Sequence, residues 1–343
     1  MKALYSLFLV FALVLIALLG AGAAGWQYAF GVVIPYVAAV VFVVGFCLRV
    51  VKWARSPVPF RIPTTCGQQK SLPWIPQAKI ENPSSTGGVI VRMLLEILFF
   101  RSLFRNTKVE MYDGPKVRYT SSKWLWLGGL AFHYAFLVVF LRHMRLFTEP
   151  IPWPIGMLET LDTILQIGAP TLYMSDLVLV AAASYLFLRR VVVPQIRFIS
   201  QAADYFPLFL ILAIALSGIS MRYFTKVSII DVKVLTMGLV TFHPVIPDGI
   251  GPIFFVHLFL VSVLLVYFPL SKLMHMGGVF MSPTRNLANT NRAVRHVNPW
   301  KFENVHYHTY DEYEDEFREK MIEADLPVDK EGPESAEEGA SNV

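Results

Sequence analysis

The chain's 343 residues are 55% hydrophobic and 16% charged, with a positive mean hydropathy; soluble domains run near 25% charged, so an ordinary water-soluble enzyme is excluded. The net charge of +5 is unevenly spread: residues 303–343 carry 14 acidic against three basic side chains, a local −11 that leaves +16 on the rest. In so apolar a chain that excess reads as an orientation signal rather than nucleic-acid binding, and two cysteines, Cys47 and Cys66, cannot build a disulfide framework, a zinc site or an iron–sulfur centre from this chain alone.

Six runs are long enough to cross a bilayer, which takes about 20 apolar residues. They fall at 4–24, 28–51, 124–146, 172–191, 205–223 and 253–275. Lys2 and the small residues "GAGAAGW" give the first run some features of a signal peptide. Its length favours an uncleaved anchor, and cleavage would leave five spans. Two N-terminal spans therefore occupy 1–54, a cytoplasmic loop 55–123, a four-span region 124–282 and a tail 283–343. The loop opens on a Pro-rich, extended stretch, "RSPVPFRIPTTCGQQKSLPWIPQAK". "VIVRMLLEILFFRSLFR" (89–105) follows, too short and too charged to span, and reads as an interfacial helix, with a partner-docking surface as the sharper alternative. Residues 227–242 read as a helix on the outer surface. In the tail, "YDEYEDEFREK" reads as a short helix and 327–343 as disordered. Lys and Arg divide 25 against 5 between the two sets of loops and ends, which places both termini in the cytoplasm of a bacterial or archaeal cell, in its cytoplasmic membrane.

Four of the eight histidines lie in or at the ends of two spans: His133 and His143 in the third, His257 and His275 in the sixth. An ionisable group inside a bilayer is expensive and marks function by default. Neutral imidazole is also the usual axial ligand of haem iron. Two helices with two ligands apiece could hold two haems stacked across the membrane. Taken singly, each histidine is more often a hydrogen-bonded structural residue; two pairs at matching depths change that weighting. Depth pairs His143 with His257 at the outer side and His133 with His275 at the inner side. The second match is imperfect: at ~1.5 Å per residue, the 18 residues from His257 to His275 rise about 27 Å and the ten from His133 to His143 about 15 Å, so roughly 12 Å must be absorbed by tilt and a bend at Pro269. His296, His306 and His308 read as solvated tail residues, and His243 as an outer-loop residue. Arg142 and Arg145 flank His143, either as interface anchors or as groups that neutralise haem propionates or meet a quinone oxygen. Glu149, Glu159, Asp162 and Asp176 are candidate proton acceptors.

The spacing in "HYAFLVVFLRH", with His257 and His275 eighteen residues apart, resembles the gamma-subunit family of respiratory nitrate reductase, over residues 124–285. "RIPTTCGQQKSLPW" (61–74), "MSPTRNLANTNRAVRHVNPW" (281–300) and the overall layout are similar to the DsrM group of membrane cytochromes in the sulfite-reduction-associated DsrMKJOP complexes. The first family has five spans where this chain shows six. The resemblance implies four histidines ligating two b haems in the pairing above, menaquinol oxidation near the outer haem, and electrons passing inward to a cytoplasmic iron–sulfur subunit similar to heterodisulfide reductase (DsrK-like), among other subunits. The expectation is an all-α integral membrane protein, a bundle of six spans with a di-haem core between spans three and six. It would act as an oxidoreductase subunit active only within its complex, with lipid and quinone as further partners and no nucleic acid. Two alternatives are a haem-free transporter or proton channel using the histidines as a relay, and a structural anchor for cytoplasmic enzymes.

Overall fold

Apolar runs in lipid must satisfy their backbone polar groups internally, and as helices they do so within each segment. The computed structural model describes residues 2–56, 58, 67–163, 170–294 and 306–330; Cys66, His296 and 331–343 lie outside the described residues, while 327–330, expected to be disordered, are held by Glu314 to the helix over 310–323. Helix α1 (Lys2–Ala17) continues through a π-helical turn, 18–23, and a second such turn, 29–33, leads into α2 (Ile34–Ala54). Next come α3 (Thr86–Phe99), α4 (Arg101–Arg105), an antiparallel hairpin of β1 (Thr107–Tyr112) and β2 (Lys116–Ser121), then α5 (Lys123–His143) and α6 (Trp153–Asp162). The chain continues through α7 (Met174–Val192), α8 (Pro194–Ile199), α9 (Ala202–Ile219), α10 (Ile229–Val240), α11 (Pro252–Tyr267), the single turn α12 (His275–Gly278) and α13 (Tyr310–Glu323).

Among the described residues, five stretches are long and apolar enough to cross a membrane: Lys2–Ala23, Ala29–Ala54, Lys123–Leu146, Ala202–Phe224 and Pro252–Leu270. The protein is a multi-pass, helical membrane protein. The remaining expected span is present as α7, a 19-residue helix that carries Asp176 in its first turn and Arg189 and Arg190 in its last. Those positions suit the helix dipole, acid at the start and base at the end.

Packing runs α5 on α7, α7 on α9, α9 on α1 and α11, and α11 on α2; α5 and α11 do not form a closely packed pair. The main core gathers Ala17, Ala21, Phe30, Leu210, Leu235, Phe255 and Leu260 from α1, α9, α10, α11 and the π-helical turns. A smaller cluster, Ala135, Leu179 and Ile211, joins α5, α7 and α9. At one end, Lys2 Nζ donates to the Ser200 carbonyl at 3.0 Å and Ser6 Oγ to that of Ala202 at 2.9 Å, which ties α1 to the start of α9.

The stretch expected as one helix, 89–105, is helical, but it breaks at Phe100, whose φ of 49° is left-handed and turns α3 into α4. The hairpin is new. Its Asp113–Gly114 turn has both residues at positive φ, 52° and 85°, the requirement of a tight hairpin turn. Val109, Met111, Val117 and Tyr119 share one of its faces, and the two middle ladder pairs set Val109 opposite Tyr119 and Glu110 opposite Arg118.

The tail is a separate unit, Arg295–Val343. Thr309 and Glu312 form a capping box at the start of α13. The Glu314 carboxylate, fully buried, accepts the backbone N–H groups of Asp329 and Lys330, both at 2.9 Å, so residues 324–330 fold back along the helix.

Candidate functional site

The two histidines of α5 meet His257, near the start of α11, and His275, which opens α12, in two pairs. The rings of His143 and His257 lie 6.3 Å apart, centroid to centroid, with their planes 13° apart. Those of His133 and His275 lie 5.9 Å apart with planes at 85°. These are the pairs expected from depth, but the chain reaches the second one by a different path. The sixth span does not run as one helix to His275. α11 ends at Tyr267, Pro269 sits in a short 3-10 turn, and Ser271 is extended (φ −116°, ψ −178°) before His275 opens α12. From His257 to Tyr267 is ten residues, the same as from His133 to His143, so both helices rise about 15 Å. The last eight residues turn sideways, and the 12 Å mismatch disappears. Fully buried Pro269 anchors that turn on α2, where a Cβ at Gly45 would meet its ring at 2.8 Å.

Each ring is oriented through Nδ1. His133 donates to the Gly129 carbonyl and His143 to that of Val139, both at 2.7 Å, and His275 to that of Lys272 at 2.9 Å. A carbonyl only accepts, so Nδ1 carries the proton and Nε2 keeps its lone pair. His257 Nδ1 lies 2.9 Å from the hydroxyl of Ser217 on α9. An ion held between two imidazoles by bonds of about 2 Å sets the ring centroids about 6 Å apart. Both pairs have that separation, and two neutral imidazole nitrogens would suit a haem iron held between them.

Around His133, Phe100 and Phe132 stand edge-on at 5.0 and 5.2 Å. The left-handed kink at Phe100 is what swings that ring in. α3 docks on α5 through its last carbonyls: Trp126 Nε1 donates to Phe99 at 2.7 Å and Tyr134 Oη to Leu98 at 3.0 Å. The segment 282–294 packs beside them through an Arg285–Glu96 ion pair, and Asn289 N–H bonds the Pro83 carbonyl at 2.8 Å.

Beside His143 lies a buried ionic cluster. Arg142, 6% exposed, pairs with Asp162 at 3.1 Å and with Asp176 at 2.5 Å. Its guanidinium lies 3.5 Å from the centre of the Tyr173 ring, and that of Arg222 lies 4.1 Å from the same centre. Tyr173 Oη donates to Glu159 at 2.5 Å, and Glu159 pairs with Arg145. Arg142 and Arg145 thus pair with three carboxylates while Arg222 stacks on Tyr173, a set with equal charges of each sign that fastens α5, α6, α7 and the turn after α9. Glu149 stands apart, paired with Lys233 of α10. His243 follows α10 in a loop, its Nδ1 bonded to Thr241 at 2.8 Å. His306 and His308 lie in the tail, 3.6 and 3.8 Å from Glu312 and Glu316.

Tyr173, Arg222, Phe100 and Ser217 escaped the sequence reading. Only Ser217, a hydroxyl inside the apolar run "ILAIALSGIS", carried a local signal that could have singled it out.

The model of the nitrate reductase gamma subunit family matches residues 103–296, more than half of the chain and all four histidines. The chain belongs to that family. It is also 48% identical, over 278 residues, to the Hdr-like menaquinol oxidoreductase cytochrome b-like subunit of Archaeoglobus fulgidus, a match covering 79% of this chain and 83% of the relative. The corresponding subunit of Archaeoglobus profundus is 40% identical over 274 residues, covering 78% and 81%. These archaeal matches extend well beyond the part that the nitrate reductase gamma subunit model describes.

Proposed function

We propose that this gamma-subunit family member holds two b haems, between His143 and His257 and between His133 and His275, and carries electrons between menaquinone and a cytoplasmic iron–sulfur partner similar to heterodisulfide reductase. One observation carries the reading: two histidine pairs at the separation of two ligands to one ion, one member of each pair on α5 and the other at the start of α11 or of α12, their rings oriented through Nδ1. The archaeal relatives, named Hdr-like menaquinol oxidoreductase subunits, supply the quinone and the kind of partner. The resemblance of the cytoplasmic motifs to the DsrM group links the complex to dissimilatory sulfite or sulfate reduction. The 25-to-5 division of basic residues puts both termini, and the His133–His275 pair, on the cytoplasmic side.

When bound, haem supplies a one-electron iron couple at each of two depths. The protein's part is to fix the ligands and the charge around them. Carbonyl acceptors lock three imidazoles in the tautomer that offers Nε2. Arg142, held by two carboxylates and an aromatic face, braces α5 beside His143. Arg145, whose side chain is a third exposed, is the member of the cluster placed to meet a quinol oxygen, with Glu159 beside it as proton acceptor. The docked α3–α4 segment, the hairpin and residues 282–294 offer the partner a surface beside the inner pair.

A pyridine haemochrome assay of the purified chain should give close to two haems b per chain, with low-spin spectra. A value near zero would end this reading.

A further inference from the structure

We infer that Ser217 is a positioning residue for His257 and, through its hydrogen bond to that imidazole, sets the reduction potential of the outer haem; this rests on the ligand assignment just proposed. Three of the four histidines donate to backbone carbonyls, which no substitution can remove. His257 alone has a side chain at Nδ1, the Ser217 hydroxyl, with the Ile214 carbonyl as a second polar neighbour of the ring. Ser217 is 7% exposed, and its Oγ lies 2.9 Å from the Ile214 carbonyl one turn back and 2.9 Å from His257 Nδ1. A hydroxyl has one proton. Here the carbonyl takes it, because a carbonyl cannot donate in return, and Oγ is left to accept the Nδ1 proton. His257 then holds the same tautomer as its three counterparts, with Nε2 free.

The next residue completes the cradle. Gly218 brings bare helix backbone against the ring; a Cβ there would stand 3.4 Å from Cε1 and 3.8 Å from Nδ1. α9 thus supplies both the acceptor that orients the imidazole and the space it lies in. Donation from Nδ1–H makes the imidazole a stronger base at Nε2 and favours the ferric state of an iron bound there; loss of the acceptor weakens both effects. Removing such a partner typically costs about 10- to 100-fold in metal affinity.

The test uses the full chain, purified with its haem, as wild type, Ser217→Ala and Ser217→Thr. His257→Ala identifies which haem is the outer one by removing it. In a redox titration followed at the haem α-band, Ser217→Ala should raise the midpoint of that haem and leave the other unmoved. Ser217→Thr, which keeps the hydroxyl, should return the wild-type curve. A Ser217→Ala titration that superimposes on wild type at full haem content overturns the inference, as does an equal shift of both haems. Should Ser217→Ala shed the outer haem, its retention in Ser217→Thr supports the inference and its loss there refutes it. A wild-type chain without haem refutes the ligand assignment itself, and is recognised by the haem count before any titration.

Discussion

Replacing Arg142 with Met should be among the most damaging single changes outside the histidines. The guanidinium faces Asp162 and Asp176, and the three side chains are 7%, 6% and 15% exposed. Removing the cation leaves two carboxylates facing each other with little water, and breaking a buried ion pair from one side costs about 3–5 kcal/mol. Removing one acid is a different perturbation. Asp176→Asn leaves Arg142 matched with Asp162, which also accepts Ser175 N–H at 2.8 Å and Ser175 Oγ at 2.6 Å, so its expected cost is about 1 kcal/mol, that of an ordinary hydrogen bond weakened. At roughly 2–4 °C per kcal/mol for a domain of 150–250 residues, Arg142→Met should lower the unfolding midpoint in detergent, read by circular dichroism, by on the order of 10 °C. Asp176→Asn should lower it by a few degrees. Equal shifts for the two variants, or an Arg142→Met midpoint within a degree or two of wild type, would show that the cluster is not a single neutral unit held by Arg142.

Two further expectations concern the ligands and the docked segment. His143→Ala and His257→Ala should each remove one and the same haem, and His133→Ala and His275→Ala the other; loss of one haem to His133→Ala and His257→Ala alike would break the pairing. In electron paramagnetic resonance, the haem that survives His143→Ala, with its ligand planes at 85°, should give the more anisotropic low-spin signal, and the one that survives His133→Ala, with planes 13° apart, the more rhombic one; indistinguishable signals would contradict those ring orientations. Burial raises the Glu96 carboxyl, but hydrogen bonds from the Ser102 hydroxyl and N–H and the Arg285 charge outweigh it and hold the group below its usual 4.5. A lowered carboxylate stabilises the fold fully above its unfolded value and loses that contribution as pH falls through the folded one. Limited proteolysis within 282–294 should therefore accelerate below about pH 4.5, and Glu96→Gln should show the faster cutting already at neutral pH. Unchanged cutting in Glu96→Gln would refute the linkage.

The spans and the histidine pairs were legible because both depend on properties a linear string keeps: run length, and residue spacing along a helix. Tertiary choices hid the rest. The turn at Ser271 follows an ordinary-looking apolar run, and Pro269 permits a bend without saying where the chain goes next. α7 read as a span from its apolar middle, while the charges that set it apart lie in its end turns and answer to partners far away, as Asp176 does to Arg142 across 34 residues. The hairpin was readable, since "MYDGPK" holds an Asp–Gly pair between alternating residues, but the Pro-rich stretch before it led the whole loop to be taken as irregular chain and one helix. Arg222 and Tyr173 meet only because the ends of α7 and α9 are brought together, which no local pattern announces.

The two arms that bear the ligands differ in how they keep their length. On α5 the distance between the two histidines is that of an unbroken helix, a rigid ruler; one residue inserted between His133 and His143 would swing the second ring by about 100° around the axis. On the other arm, seven residues of turn separate the end of α11 from His275, and such a connection absorbs an added or lost residue at little cost. Across the lineage that shares this fold, the ten-residue interval in α5 should stay fixed while the stretch after Tyr267 drifts in length, so the vertical gap between the two histidine pairs is inherited from one helix alone.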